Sequence, residues 1–438
     1  MFYLNRNEEL TTELLNKMIN RFRINVEPTL QRYKNYYDGI QDILNKKYTD
    51  ETKSNSKAII NYCKNIVDSY CGYIATPGYI SYSSKNDIED IMNILKYNDY
   101  QAQDADFLLD ALVYGVAAEL MYMDGKSQTR FRLINPTTCF GIYDDSLTGD
   151  LMYFVRMYKA NDWDNSDQYH LDVYTDNEIR HYTMSGANGT ITATGDVEPH
   201  YFGQCPANIF YMPDEKSIFD CVMKLQDAMN ELLSSEIDDY SAFCDAYLVI
   251  TGADIDEETA KQMKQNRILG LPGDGANAYW LTKSANDTQV ENVLKRIHDS
   301  IYRISQCPDF SSESFVGGVS SGVAIRYRLT GMETRAGKIE AVMKKALQRR
   351  VEIICGIATL KLGEEVFRDI EIDFKRNIPE DYTAIISLVN SLRGVVSDAT
   401  LLRQLPFVDD VNEELAALEE QKANNMSLYS FGADEDEE

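Results

Sequence analysis

Apolar residues in the first quarter of the chain recur at helical spacing. "TELLNKMINRF" sets Leu14, Leu15, Met18 and Ile19 three and four apart, and "AIINYCKNIVDSYCGYI" (58–74) keeps that period until Pro77 and Gly78 break it. "DFLLDALVYGVAAELMYM" predicts a further amphipathic helix over 106–123. From about 129 to 212 the period falls to two. "YHLDVYT" and "EIRHYTMS" flank Asp176 and Asn177, while "HYTMS" and "TITAT" flank a loop holding Asn188 and Gly189. Both are hairpin signals, and Tyr and Thr crowd these strands as expected for half-buried sheet. The fold class is α+β.

Longer helices follow. Residues 216–243 predict one helix of about 42 Å, with an apolar stripe of Ile218, Val222, Leu225, Met229 and Leu232. Its polar surface is acidic, carrying Asp220, Asp227, Glu231, Glu236, Asp238 and Asp239. A compact insertion over 244–287 has strand-like "AYLVITG" and "ANAYWLT" around the turn "LPGDG", and a second helix covers 289–306. The Gly/Ser-rich "FVGGVSSG" leads into a helix over 323–361, about 58 Å long, with Ser320 or Ser321 as its N-cap. "IEIDFKR" (370–376) alternates as a strand. Pro379 opens another helix that stops at Gly394, and helical pieces at 398–404 and 409–424 precede the tail "ADEDEE".

Charge sharpens this picture. The formal net charge is −27, from 70 acidic and 43 basic residues among 438. That argues against a surface built to wrap nucleic acid tightly, though it suits a passage along which a polyanion must not stick. The long helix runs against the trend with a cationic surface, including Arg326, Arg328 and Arg335. A solvated face or a subunit contact accounts for these as readily as contact with DNA. The eight cysteines contain no C-x-x-C pair and read as small buried hydrophobes in a reducing compartment. The N-terminal residues are charged where a signal peptide would be apolar, and no run reaches the ~18 apolar residues of a spanning helix.

Recognisable chemistry is absent. The four histidines stand far apart with no metal-ligand spacing, and no H-E-x-x-H occurs. Gly317, Gly318 and Gly322 lack the Lys-Ser/Thr of a phosphate-binding loop. Asp144 with Asp145, or Asp238 with Asp239, suggests a Mg²⁺ site, but a turn and a solvated helix face explain the pairs equally well. The residues alone predict no catalytic group, metal or cofactor.

The order of parts resembles the portal proteins of tailed bacteriophages, in the branch typical of long-tailed phages of Gram-positive hosts. "PTLQRYKNYYDGIQDI" and "NYCKNIVDSYCGYIATPGYISYS" are similar to that branch's N-terminal region. "LQDAMNELLSSEIDDYSAFCDAYLVITG" resembles a stem helix entering the clip. "SSGVAIRYRLTGMETRAGKIEAVMKKALQRRVEII" resembles the long helix after the tunnel loop, and "IEIDFKRNIPED" the strand returning to the wing. The resemblance implies a wing over 1–215, stem helices over 216–243 and 288–307, and a clip over 244–287. It implies a tunnel loop over 308–322, the long helix over 323–361, a return to the wing over 362–394, and a short crown and tail over 395–438.

It further implies a ring, usually of about twelve copies, at one vertex of the capsid. Double-stranded DNA enters through it during packaging and leaves by it on ejection, without sequence specificity. Expected partners are the large terminase subunit, a head–tail adaptor, and the major capsid and scaffolding proteins; no membrane is involved. The location is the virion, with host cytoplasm during assembly. Within this frame Phe315, Val316, Gly317, Gly318, Val319 and Ser320 are the tunnel-loop candidates: small, mobile and without fixed charge. Glu231, Asp238 and Asp239 are the acidic channel-lining candidates, and Arg326, Arg328 and Arg335 the basic ones. A Mg²⁺-dependent nuclease and an oligomeric scaffold that never meets DNA are the competing readings.

Overall fold

The structure is a computed structural model. It describes residues 1–47, 54–159, 168–186, 189–244, 247–251, 256–258, 277–281, 287–311, 322–357, 366–376 and 382–403, with scattered positions up to 421. After strand β1 (Phe2–Leu4) come helices α1 (Thr12–Asn25) and α2 (Glu27–Tyr37), separated by Val26 alone. The Thr11 hydroxyl caps α1 by accepting the Leu14 N–H at 3.3 Å. Helix α3 (Tyr62–Ile74) buries Cys63, Ile66, Val67, Tyr70 and Ile74. It starts four residues later than the period suggests, because residues 56–60 run as a non-helical strap along another helix.

Strand β2 (Ile80–Ser83), α4 (Glu89–Tyr97) and α5 (Tyr100–Tyr114) follow. The helix expected over 106–123 ends at Tyr114, and β3 (Val116–Met123) begins at once. Gly115 makes the switch. It sits at φ +81°, and a Cβ there would lie 2.6 Å from the Lys216 carbonyl carbon. "VAAELMYM" misleads because a strand paired on both sides and buried on both faces shows no alternation.

Strands β4 (Thr129–Ile134), β5 (Cys139–Asp144), β6 (Leu151–Lys159), β7 (Gln168–Tyr174), β8 (Glu178–Ser185), β9 (Ile191–Pro199) and β10 (Ala207–Tyr211) complete the β-rich region. They form a six-stranded sheet in the order β1-β5-β6-β7-β8-β9 and a three-stranded sheet β10-β3-β4. All neighbours are antiparallel except β1 on β5. A core of Ala118, Leu120, Cys139, Phe154, Tyr174, Cys205 and Ala207 joins residues of both sheets.

The helix expected over 216–243 is shorter: a 3₁₀ turn, Asp220–Val222, leads into α6 (Met223–Cys244). The insertion forms the antiparallel pair β11 (Tyr247–Thr251) and β12 (Asn277–Leu281), and α7 (Asp287–Ser305) follows and packs on α6. The long helix α8 (Gly322–Cys355) spans 34 residues, about 51 Å. Strand β13 (Glu371–Phe374) pairs antiparallel with β2, so the return to a sheet after the long helix is present. Helices α9 (Tyr382–Leu392) and α10 (Asp398–Leu402) lie in a second compact unit that takes in 319–327 and the chain from 378 onward. Most of the piece expected over 409–424, and the acidic tail, lie outside the described residues. Among the described residues no helix is long and apolar enough to cross a membrane.

Candidate conduit surfaces and their anchors

All six tunnel-loop candidates, Phe315 to Ser320, lie outside the described residues, as do both N-cap serines. The root of that loop is described and firmly held. At the end of α7 the Ser305 carbonyl accepts the Tyr70 hydroxyl at 3.0 Å and Arg335 Nη1 at 2.9 Å. Arg335 Nη2 reaches the Ile218 carbonyl at 2.8 Å, and its guanidinium lies 5.7 Å from the Tyr70 ring centre. The last carbonyls of a helix have no partner within it and carry its negative end, so a cation there is favourable twice over. Arg335 is thus half-buried and bonded within the subunit, whereas Arg326 and Arg328 are exposed.

The α6 candidates differ in the same way. Glu231 and Asp239 are exposed. Asp238 is half-buried and accepts the Ser56 N–H at 2.8 Å. That bond belongs to a set invisible to an apolar pattern. Beside buried Met223 and Met229, α6 buries a polar row: Gln226, Asn230 and Ser234 are fully buried. They accept the backbone N–H groups of Tyr62 (3.0 Å), Ile60 (3.2 Å) and Ala58 (3.0 Å). Two residues of extended chain advance about 6.6 Å and four residues of helix about 6.0 Å. Alternate amides of the strap therefore meet every fourth side chain of α6, four times in succession. The legible signal is a polar i, i+4, i+8 row on a helix whose opposite face is also polar.

Asp144 and Asp145 do not form an open acidic pair. Asp144 is buried and accepts the Ser146 hydroxyl at 2.6 Å, the Ser146 N–H at 3.0 Å and the Gly149 N–H at 3.1 Å. The Ser146 hydroxyl leads the bonds that hold its carboxyl below the usual range. Asp145 accepts the Asn5 side-chain amide at 3.3 Å. Asp144 braces the β5–β6 turn from within, and Asp145 fastens it to Asn5 just after β1. Among the described residues no group of three or more His, Cys, Asp or Glu is placed to hold a metal ion.

The strongest electrostatic feature is deeper. Arg350 of α8 is fully buried and donates through Nε and Nη2 to Glu119 of β3 at 2.9 and 2.8 Å. Through Nη1 it donates to Asp104 of α5. Tyr82 of β2 donates to Asp104 at 2.9 Å, and Asn208 of β10 donates to Glu119 at 2.6 Å and to the Ala346 carbonyl at 2.8 Å. The Phe131 ring lies 4.5 Å from the guanidinium. Burial alone would loosen the Arg350 proton, but Asp104 and Glu119 more than reverse that. Burial raises the Asp104 carboxyl above its ordinary value even with Arg350 beside it. Five elements thus meet at one guanidinium, whose fork geometry suits paired carboxylates. Arg350 gives itself away only by occupying a core position between Leu347 and Ile354.

Taken together, these parts hold two helices joined by a β-hairpin segment, a loop root tied down on both sides, and a long helix locked into the sheet region. They define a structural subunit built around anchored helices. The family model for phage portal proteins of the SPP1 Gp6-like type matches residues 24–428, and the chain belongs to that family, a structural rather than an enzymatic one. It is similar to the portal protein of Bacillus phage SPP1, with 23% identity over 449 residues covering 94% of this chain and 87% of the relative. It is also similar to the portal protein of Clostridium phage phiCD119, with 19% identity over 421 residues covering 89% of this chain and 92% of that one. Its function is that of a DNA-channel portal of the phage virion, assembled as an oligomeric ring.

Proposed function

We propose that about twelve copies close into the ring, with α6 and α7 as the stem, β11 and β12 in the clip, and the N-terminal helices with both sheets as the wing. Residues 308–322 reach the channel as the tunnel loop, and 395–438 form a short crown. DNA is driven inward by a separate terminase and leaves through the same channel. The head–tail adaptor docks on the ring, capsid and scaffolding proteins surround it, and assembly takes place in the host cytoplasm. The chain itself performs no catalysis.

The observation that carries this reading is the anchoring of the loop root by Arg335 and Tyr70 at Ser305. It fixes the root of the segment that carries the uncharged, Gly-rich stretch Phe315 to Ser320. Exposed Glu231 and Asp239 are the candidates for a lining that repels phosphates, and Arg326 and Arg328 for transient contact with them. Complementation tests the proposal. Phage lacking this chain should make heads without DNA, and supplying it should restore filled heads. Cleavage of duplex DNA by the purified chain with Mg²⁺ would place it among nucleases instead.

A further inference from the structure

The strap over 56–62 has no task in the reading above, yet four successive amides of it are held by one face of α6. Asp238, Ser234, Asn230 and Gln226 take the N–H groups of Ser56, Ala58, Ile60 and Tyr62 in order. The Gln226 side-chain amide returns a bond to the Asn230 side chain at 2.9 Å, and the Asn61 side chain accepts from Gln41 at 3.3 Å. Gln226 and Asn230 are thus tied to each other, and Gln41 joins Asn230 to the Asn61 side chain between two rungs. The row ends at Gln226, since Val222, four residues earlier in the 3₁₀ turn, offers no acceptor, and a slip of one rung in that direction loses a bond.

Little apolar surface holds the strap. Ser54, Asn55 and Lys57 are exposed and Ile60 is 38% exposed, whereas the adjoining α3 buries Ile66, Val67, Tyr70 and Ile74 completely. Parting the strap from α6 exchanges protein hydrogen bonds for bonds to water and uncovers polar groups, a much cheaper opening than lifting α3.

We propose that the strap is a releasable clasp on the stem helix: closed, it fixes the start of α6 against the N-terminal helices; parted as a unit, it lets α6 shift. That this shift accompanies DNA passage rests on the portal reading; the parting itself does not. Hydrogen exchange with residue-level fragmentation on the assembled protein tests the parting. The amides of Ser56, Ala58, Ile60 and Tyr62 should exchange together and faster than those inside α3. Ser234→Ala should speed all four by about five- to tenfold, the worth of one net hydrogen bond. Exchange as slow as α3, or acceleration at Ala58 alone, would overturn the clasp.

Its use is tested separately with Ala58→Cys and Ser234→Cys in a Cys221→Ser background. With the crosslink formed, verified by mass, rings should keep their mass while DNA filling of heads falls at least about tenfold, and reduction should restore it. Normal filling with the strap locked would show that the clasp stays shut during passage, even if the exchange result stands.

Discussion

Replacing Arg350 with Met keeps most of its length and removes the one cation from a site holding two buried carboxylates. Asp104 and Glu119 are both fully buried and would be left facing only Tyr82 and Asn208. Breaking a buried pair by removing one partner costs about 3–5 kcal/mol, and with two carboxylates stranded the upper half of that range applies at pH 8. The cost should depend on pH with a definite sign. Without Arg350 the Asp104 carboxyl, already raised by burial, rises further above its unfolded value, so folding favours its protonated form. Stability is then fullest at low pH and is lost as pH rises through the folded-state value. Urea unfolding followed by circular dichroism, at matched protein concentration because assembly adds to apparent stability, should give a larger loss at pH 8 than at pH 5. Adding Asp104→Asn and Glu119→Gln should recover most of it, since the site then holds no unpaired charge. A loss below about 1 kcal/mol at both pH values, or a larger loss at pH 5, would refute the reasoning.

Three further outcomes are expected. Arg335→Lys should behave like Arg335→Ala, because one ammonium cannot span the Ser305 and Ile218 carbonyls; each bond to a charged donor is worth about 1.5–3 kcal/mol, and faster hydrogen exchange at the end of α7 is the readout. Asp110 on α5 is pushed up to about 6 by burial and then by Asp106, so its contribution to stability is full below the unfolded value and is lost as pH rises through about 6; Asp110→Asn should flatten the stability profile between pH 4 and 6. Neutralising Glu231 and Asp239 together should impair DNA packaging or ejection more than ring assembly, while Asp238→Ala should show first as loss of protection at Ser56; equal loss of assembly in the first variant would make those acids interface groups.

Much of the fold was legible in the sequence. The strands after 129 follow from their alternation, and the hairpin at Asp176 and Asn177 lies where its turn signal placed it. The antiparallel pair between α6 and α7 was read from short strand-like runs, and the strand returning at 371 from its alternation. The misses share one cause, which is that burial depends on which partners a segment finds, not on its apolar period alone. A fully paired strand, β3, passed for a helix because both its faces are covered. The strap passed for the start of α3 because Ile59 and Ile60 fit a helical period, while its amides in fact bind side chains of α6. The polar stripe Gln226, Asn230, Ser234 and the buried Arg350 were overlooked because their partners lie far away in sequence, up to 268 residues for Arg350. Hydropathy patterns report what is apolar, not which polar groups find one another.

The central claim, that this chain works as one subunit of a closed DNA-conducting ring, is tested most directly by native mass spectrometry joined to negative-stain images of the purified protein. The account predicts a closed ring of about twelve 50.0 kDa chains with a central opening wide enough for duplex DNA. A discrete dimer without an opening, cleaving duplex DNA when Mg²⁺ is added, would contradict it.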